Sequence, residues 1–376
     1  MIYDPEARRE TALALKLKAR IRRSGPITVR DYMAACLQDP EHGYYRTRTA
    51  IGRDGDFITA PEISQVFGEL IGLWCVVVWQ QMGSPAHVNV IEAGPGRGTL
   101  MRDALRAARV VPAFGAACDI ILVETNAVLI AHQKAVLQAH ARPVSWYPHL
   151  AEVPTGPAIV LANEFLDALP VAQFVRAGVG WTERGVGLDA GGALIFCALE
   201  DRPLLLLPAV QSDQTRPGAI FERRQTSEQS FALHRLAHNG PMAALFIDYG
   251  HLEGATGDTL QAVRAQRFEH ALTSPGEADL TAHVDFAQVA QEARMWGLAV
   301  DSPVTQAEFL GHLGIAERAS RLMAANPAKA TAIEAGVARL MAPNGMGGRF
   351  KAIGLRSSTL PPLPGFAVMD KSPRAK

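Results

Sequence analysis

The stretch Val90-Ile91-Glu92-Ala93-Gly94-Pro95-Gly96-Arg97-Gly98 decides how this chain folds. An apolar run, His87 to Ile91, ends in an acidic residue, and three glycines follow at every second position. Thr99 and a helix-like segment from Leu100 to Arg109 come next. Strand, glycine turn and helix in that order make a nucleotide-handling unit. Gly94 and Gly96 admit backbone angles closed to other residues and let a ligand approach the main chain. Gly98 lets the helix pack closely on the strand. The free N–H groups at the helix start can hold an anion.

The spacing narrows the ligand. A dinucleotide fingerprint reads G-x-G-x-x-G. Here the third glycine arrives one residue early, and Thr99 stands where that pattern wants glycine. The early glycine and the leading Glu92 suit S-adenosylmethionine, which offers an ammonium, a carboxylate and a ribose diol but no phosphate. A glycine-rich turn without ligand is the bland alternative; the strand before it and the helix after it weigh against that.

Working outward, Asp119 to Glu124 reads as a second buried strand, followed by a helix from Thr125 to Ala139. Val144–Trp146, Ala158–Glu164, Ala243–Gly250 and Arg349–Leu355 read as further strands. Alternation of strands with helices predicts a Rossmann-like, doubly wound, mostly parallel sheet, with ligand at the carboxyl ends of the strands. The core is assigned to residues 86–170, 242–256 and 345–356. A helical lead-in of residues 1–85 precedes it, with helices over 5–23, 29–37 and from Pro61 or Ser64 to Trp79. Glycines punctuate residues 171–210, where short runs such as Val171–Arg176 and Ala193–Leu199 predict inserted β-hairpins. A helix near Ser227–Ala237 completes a β-hairpin and helix insertion, 171–241. Residues 257–344 read as a helical insertion beside the cleft, and 357–376 as a C-terminal tail whose end, Met369 to Lys376, is polar and frayed.

Bulk properties exclude several classes. The chain has 376 residues, 48% hydrophobic and 20% charged, with zero formal net charge. That describes a globular protein with a large core and gives no electrostatic sign of a nucleic-acid partner. The four cysteines are widely spaced with no CxxC pair, so neither a metal cluster nor a disulfide framework is expected. They read as reduced thiols of a cytoplasmic protein. No apolar run reaches the roughly 18–20 residues of a membrane span, and the N-terminus reads as neither a signal nor a transit peptide. No internal repeat is evident, and the oligomeric state stays open.

Strand ends carry the candidate chemistry. Glu124 ends the second strand, where a carboxylate can accept both ribose hydroxyls; a solvated strand-end acid is the alternative. Asn163-Glu164-Phe165-Leu166-Asp167-Ala168-Leu169-Pro170 ends the fourth, facing the transferred group. Two carboxylates three residues apart suit a guanidinium, whose planar fork pairs bidentately with carboxylate. Capping is the competing role, with Asp167 as turn former and Asn163 bonding backbone. Asp248-Tyr249-Gly250 could line the same cleft, with Tyr249 stacking on a ring or cation or serving structure alone. His149 either borders the adenine or sits at the surface. Gly55 to Ser64 is either a cover over the cofactor or a capped helix start.

Together these motifs resemble the MidA family of class I methyltransferases, bacterial and mitochondrial relatives of a respiratory complex I assembly factor that methylates a protein arginine. The resemblance runs through Gly25-Pro26-Ile27, His42 to Tyr45, Gly55 to Glu62, Glu92 to Gly98, Asn163 to Pro170, Asp248 to Gly250, Gly276 to Phe286 and Met346 to Lys351. No matching motif appears in 185–235. It implies S-adenosylmethionine as donor and a protein arginine as acceptor, on a complex I subunit. It also implies Gly94, Gly96 and Gly98 as the cofactor loop and Glu124 as the ribose acid. The expected reaction moves a methyl group from sulfonium to a guanidinium nitrogen. Glu164 is the first candidate for the cation's grip, Asp167 the second, and Asn163 stands beside them. A scaffold that binds cofactor without catalysis, or an NAD-dependent oxidoreductase, are the alternatives.

Overall fold

The computed structural model describes residues 4, 6–47, 58–138, 142–177, 180–199 and 216–366. Its centre is an eight-stranded sheet. Seven strands run β1 (Val88–Ala93), β2 (Cys118–Val123), β3 (Val144–Tyr147), β4 (Ala158–Asn163), β5 (Met242–His251), β6 (Ala299–Thr305) and β7 (Phe350–Arg356). Their spatial order is 3-2-1-4-5-7-6; the eighth, Val284–Asp285, pairs with the end of β5. The first five are mutually parallel, and β7 runs antiparallel to both β5 and β6. This is close to the dinucleotide order 3-2-1-4-5-6, with an antiparallel strand inserted between the fifth and sixth. The six expected core strands lie within a residue or two of the predicted bounds, because continuous apolar runs mark strands covered on both faces.

Two layers cover the sheet. On one face, α3 (Gln65–Gln81) and α4 (Thr99–Ala108) pack closely. The gap is so narrow that a Cβ on Gly72 would lie 2.2 Å from the carbonyl oxygen of Ala104. Trp74 and Phe67 of α3 are fully buried there, each contributing about 2–3 kcal/mol of apolar burial. Two buried acids knit the polar side of this layer. Glu69 pairs with Arg106 at 3.0 Å and Arg318 at 2.8 Å, and Asp103 pairs with Arg102 and Arg106, each at 2.9 Å. The other face is covered by α6 (Ser227–His238) and α7 (Phe286–Met295).

The N-terminal lead-in takes a different partner. Its first helix, α1 (Ala12–Ser24), begins at Ala12 and not at residue 5. The Thr11 side chain caps this start, accepting from Ala14 N at 3.0 Å, and Arg9 N donates to Thr273 O at 2.8 Å, which ties the residues ahead of Thr11 to a distant segment. After α1, Ile27–Thr28 pairs antiparallel with Trp181–Leu188. α2 (Val29–Gln38) follows, and the two helices share a core with Val171, Val186, Leu194 and Leu280. The inserted hairpins thus form a five-stranded sheet that receives one strand from the lead-in.

The reading of 257–344 as purely helical is corrected. Gln261–Arg264, Arg267–Glu269 and Asp279–Thr281 form a three-stranded sheet, and Ala299–Thr305 is an edge strand of the main sheet. That strand escapes sequence patterning because Asp301 is its one buried residue, with a bulge between Asp301 and Val304 at Pro303. Edge strands tolerate proline and polar composition that central strands do not. Among the described residues no helix is long and apolar enough to cross a membrane. The reading of 357–376 as a tail is corrected for 357–366, where Leu360, Leu363 and Phe366 are buried in the core and Leu363 N donates to Asp301 at 3.0 Å. Met369 to Lys376 and Gly55 to Phe57 lie outside the described residues.

Candidate functional site

A cleft of about 1100 Å³ opens at the carboxyl ends of β1, β2 and β4. Gly94, Gly96 and Gly98 adopt φ of +66°, +51° and +77°, so all three spaced glycines sit in the left-handed region. A Cβ on Gly94 would come within 2.9 Å of the Phe165 ring. Gly98 precedes the first residue of α4, whose N-terminal amides therefore face the loop. The donor-side loop and the Asn163–Pro170 loop touch, and both line the cleft.

Glu92, one residue before the end of β1, is almost fully buried, and its Oε2 has no hydrogen-bond partner among the described residues. Burial pushes its carboxyl up to about 8. An orphaned buried carboxylate oxygen beside a glycine cradle is what an ammonium group would satisfy. Glu124 follows β2. Its Oε1 accepts from the amides of Thr125 and Asn126, both at 2.8 Å, while Oε2 receives only a long contact of 3.4 Å from Gln133. Burial raises its carboxyl despite these donors. Oε2 thus keeps lone pairs for hydroxyl donors. The residues present fit S-adenosylmethionine: Glu92 for the ammonium, the glycine loop for close approach, Glu124 for the diol.

Gln133 was not foreseen. It lies on α5 (Ala127–Leu137), is fully buried, and donates from Nε2 to Gly96 O at 2.7 Å. Its Oε1 accepts from the Trp146 indole at 2.8 Å. One amide side chain therefore ties the glycine loop, the Glu124 carboxylate and β3 together. A glutamine inside an apolar helix, Ala127-Val-Leu-Ile-Ala-His-Gln-Lys-Ala-Val-Leu, was the signal available.

Glu164 lines the cleft, beside Asn163 and Phe165. Its Oε1 accepts from Ala60 N at 3.0 Å and Asn163 Nδ2 at 3.1 Å. Oε2 has no partner among the described residues. Burial first, and the charge of Asp167 second, push its carboxyl up to about 7 against those hydrogen bonds. Asn163 Oδ1 is also buried without a partner and lines the cleft. Glu164 has φ of +52°, a left-handed conformation that costs a non-glycine residue on the order of 1 kcal/mol or more.

Asp167 is placed differently from its prediction as a second grip on the cation. It is buried, within hydrogen-bonding reach of Tyr249, and does not line the cleft. Asp248 likewise does not line the cleft, contrary to expectation. Its Oδ2 accepts the amides of Phe165, Leu166 and Asp167 at 3.1, 2.8 and 3.1 Å. Tyr249 packs edge-on against His283 and Phe350 and serves this structural cluster. The turn competition noted for this loop is therefore resolved by a distant carboxylate. Buried Arg224 adds a brace from the other side, donating to the carbonyls of Asp167, Leu169, Ala282 and His283.

The described part of the Gly55–Ser64 motif is a capped helix start that also borders the cleft. Ser64 caps α3, accepting from Val66 N at 3.3 Å. Thr59, Pro61 and Glu62 line the cleft, and Glu62 accepts a hydrogen bond from the Thr99 hydroxyl at the start of α4. His149 sits at the rim, more than half exposed and 3.9 Å from Glu228.

Fold and site together define the class of methyltransferases that use S-adenosylmethionine. Residues 70–304 match the model of a family described as "Putative S-adenosyl-L-methionine-dependent methyltransferase", and the chain belongs to that family. Among its relatives is the protein arginine methyltransferase NDUFAF7, mitochondrial, of Xenopus tropicalis. It is 35% identical over 395 residues, spanning 95% of this chain and 90% of the relative. The human protein of that name is 34% identical over 392 residues, spanning 94% and 85%. A crystal structure from Burkholderia thailandensis, bound to S-adenosyl-homocysteine, superposes with a TM-score of 0.80 at 27% identity, covering 94% of each chain.

Proposed function

We propose that this protein transfers a methyl group from S-adenosylmethionine to a guanidinium nitrogen of an arginine in a protein. By its resemblance to the family of the complex I assembly factor, the acceptor is a respiratory complex I subunit; the four widely spaced, unpaired cysteines support a cytoplasmic setting. The observation that carries the reading is Glu164. It is a recessed carboxylate with one free oxygen beside the unpartnered Asn163 Oδ1, in the cleft that also holds the glycine loop. The names of the relatives support an arginine acceptor.

When bound, the cofactor supplies an electrophilic methyl on a sulfonium. The chain's own residues do the rest. Glu164 Oε2 and Asn163 Oδ1 accept N–H groups of the guanidinium and aim one nitrogen at the methyl carbon. The new N–C bond forms as the S–C bond breaks, leaving a thioether and a methylated guanidinium with one proton to lose. Arginine enters protonated, its pKa above about 12, so an acceptor for that proton is needed; Glu164 holds it. Positioning supplies much of the rate in such an in-line displacement.

The test is tritiated S-adenosylmethionine with the purified protein and a lysate of cells lacking it. Label recovered as methylarginine after acid hydrolysis of a protein band supports the reading. Label confined to another amino acid, or none above the no-enzyme control, refutes it.

A further inference from the structure

We infer that Asp248 is the positioning residue of the acceptor side: it holds the loop after β4 in the conformation that turns the Glu164 carboxylate into the cleft. The inference rests on the role proposed for Glu164. Asp248 reaches no ligand itself, because it is 1% exposed and absent from the cleft wall. Its Oδ2 gathers three consecutive amides, Phe165, Leu166 and Asp167, immediately after Glu164. Its Oδ1 accepts from Tyr249 N at 2.9 Å. Both oxygens are thus committed to backbone donors.

Three N–H groups aimed at one carboxylate oxygen require the chain to curl tightly round it. The residue that makes the turn possible is Glu164, at φ of +52°. A glutamate has no intrinsic reason to occupy that region, so tertiary structure must hold it there. Burial and the neighbouring Asp167 push the Asp248 carboxyl up, so the grip rests on the geometry of three amide donors converging on one buried acceptor oxygen, each costly to leave unpaired. Glu164 N also donates to Ile247 O at 2.9 Å, the residue preceding Asp248. The end of β5 therefore grips the turn from both sides of Glu164. Loss of Asp248 frees the 165–167 amides and lets Glu164 relax to negative φ. Its carboxylate then swings off the cleft while the cofactor loop stays in place.

The experiment uses Asp248→Ala and Asp248→Asn in the full chain. Asn keeps the shape and one acceptor oxygen, so it reports if the alanine variant fails to fold. Amide hydrogen exchange is followed for the peptide spanning 164–168 and for one spanning β1. S-adenosyl-homocysteine binding is measured by calorimetry, and tritium transfer into lysate protein at saturating cofactor. The expected result is exchange of the 165–167 amides faster by about tenfold or more. β1 stays protected and cofactor affinity changes by less than about threefold. Methyl transfer falls about 100-fold, in kcat and not in KM for the cofactor, as for a misplaced reacting group. Asp248→Asn gives a smaller loss than Asp248→Ala. Unchanged exchange at 165–167 in the folded variants overturns the inference. So does a parallel loss of cofactor affinity. If the wild-type protein methylates no arginine, the proposed function fails, yet the exchange measurement still decides whether Asp248 holds the turn.

Discussion

The glycine loop and the Asn163–Pro170 loop leave adjacent strands at the same edge of one sheet, and both need left-handed backbone. They meet that need by opposite means. After β1 the left-handed positions are all glycines, so residue type alone permits the conformation. After β4 the left-handed residue is Glu164, and a carboxylate 83 residues beyond Phe165 holds the turn. The first loop is prepared locally and can be built for a ligand common to many enzymes. The second is prepared by tertiary contact. That preparation allows an acidic side chain where glycine would otherwise be needed, on the wall of the cleft where we propose that a cation is gripped.

Glu164→Gln breaks the comparison most severely. It keeps the loop but removes the charge, and kcat is expected to fall about 1000-fold while cofactor affinity stays within about threefold. Single-turnover tritium transfer alongside calorimetry checks this; equal losses in both place Glu164 on the donor side instead. The wild-type kcat should rise with pH through about 7, because the carboxylate is the form that grips the cation and burial holds that carboxyl at about 7. The rise should vanish in the glutamine variant.

Gly94→Val attacks the other loop. A side chain there meets left-handed backbone and the Phe165 ring at 2.9 Å, and S-adenosyl-homocysteine affinity is expected to drop about 100-fold. If affinity is retained, the loop does not cradle the cofactor. Gln133→Ala sharpens the contrast more gently. It frees Gly96 O and Glu124, and cofactor affinity should weaken about tenfold with kcat at saturation unchanged, the opposite split from Glu164→Gln.

The smallest effect concerns Glu92. Its carboxyl lies near 8 in the folded protein, above its ordinary value of 4.5. A folded-state value raised in this way contributes stability at low pH that is lost as pH rises through about 8. The cofactor ammonium needs the ionised form. S-adenosyl-homocysteine affinity should therefore increase about fivefold between about pH 7 and about pH 8, with proton release on binding. Glu92→Gln should flatten the profile; an unchanged slope removes Glu92 from the ammonium site.

These contrasts explain what was legible. Apolar runs such as Ala158 to Leu161 marked the central strands because burial on both faces demands such composition. Glu92, Gly94, Gly96, Gly98 and Glu124 were legible as candidates for a related reason: each stands at or just past a strand end, where residue type alone marks it. The edge strand Ala299–Thr305 was missed, since an edge with proline and a bulge need not be apolar. Asp167 and Asp248 were placed in the cleft because both are acids near strand ends, and sequence cannot say which way a carboxylate points.

The sequence by itself determined the doubly wound core, the donor cofactor and the strand ends where chemistry collects. Periodicity, glycine spacing and strand-end acids are local quantities, read within a few residues. Tertiary structure alone decided which acids face ligand and which hold backbone. Asp248 and Arg224 satisfy donors and acceptors that belong to distant segments. Only the folded chain brings Gln133 under Gly96, or pairs Ile27–Thr28 with the inserted hairpins. A buried polar group must find its partner wherever the fold provides one, and that place is not encoded in its neighbours.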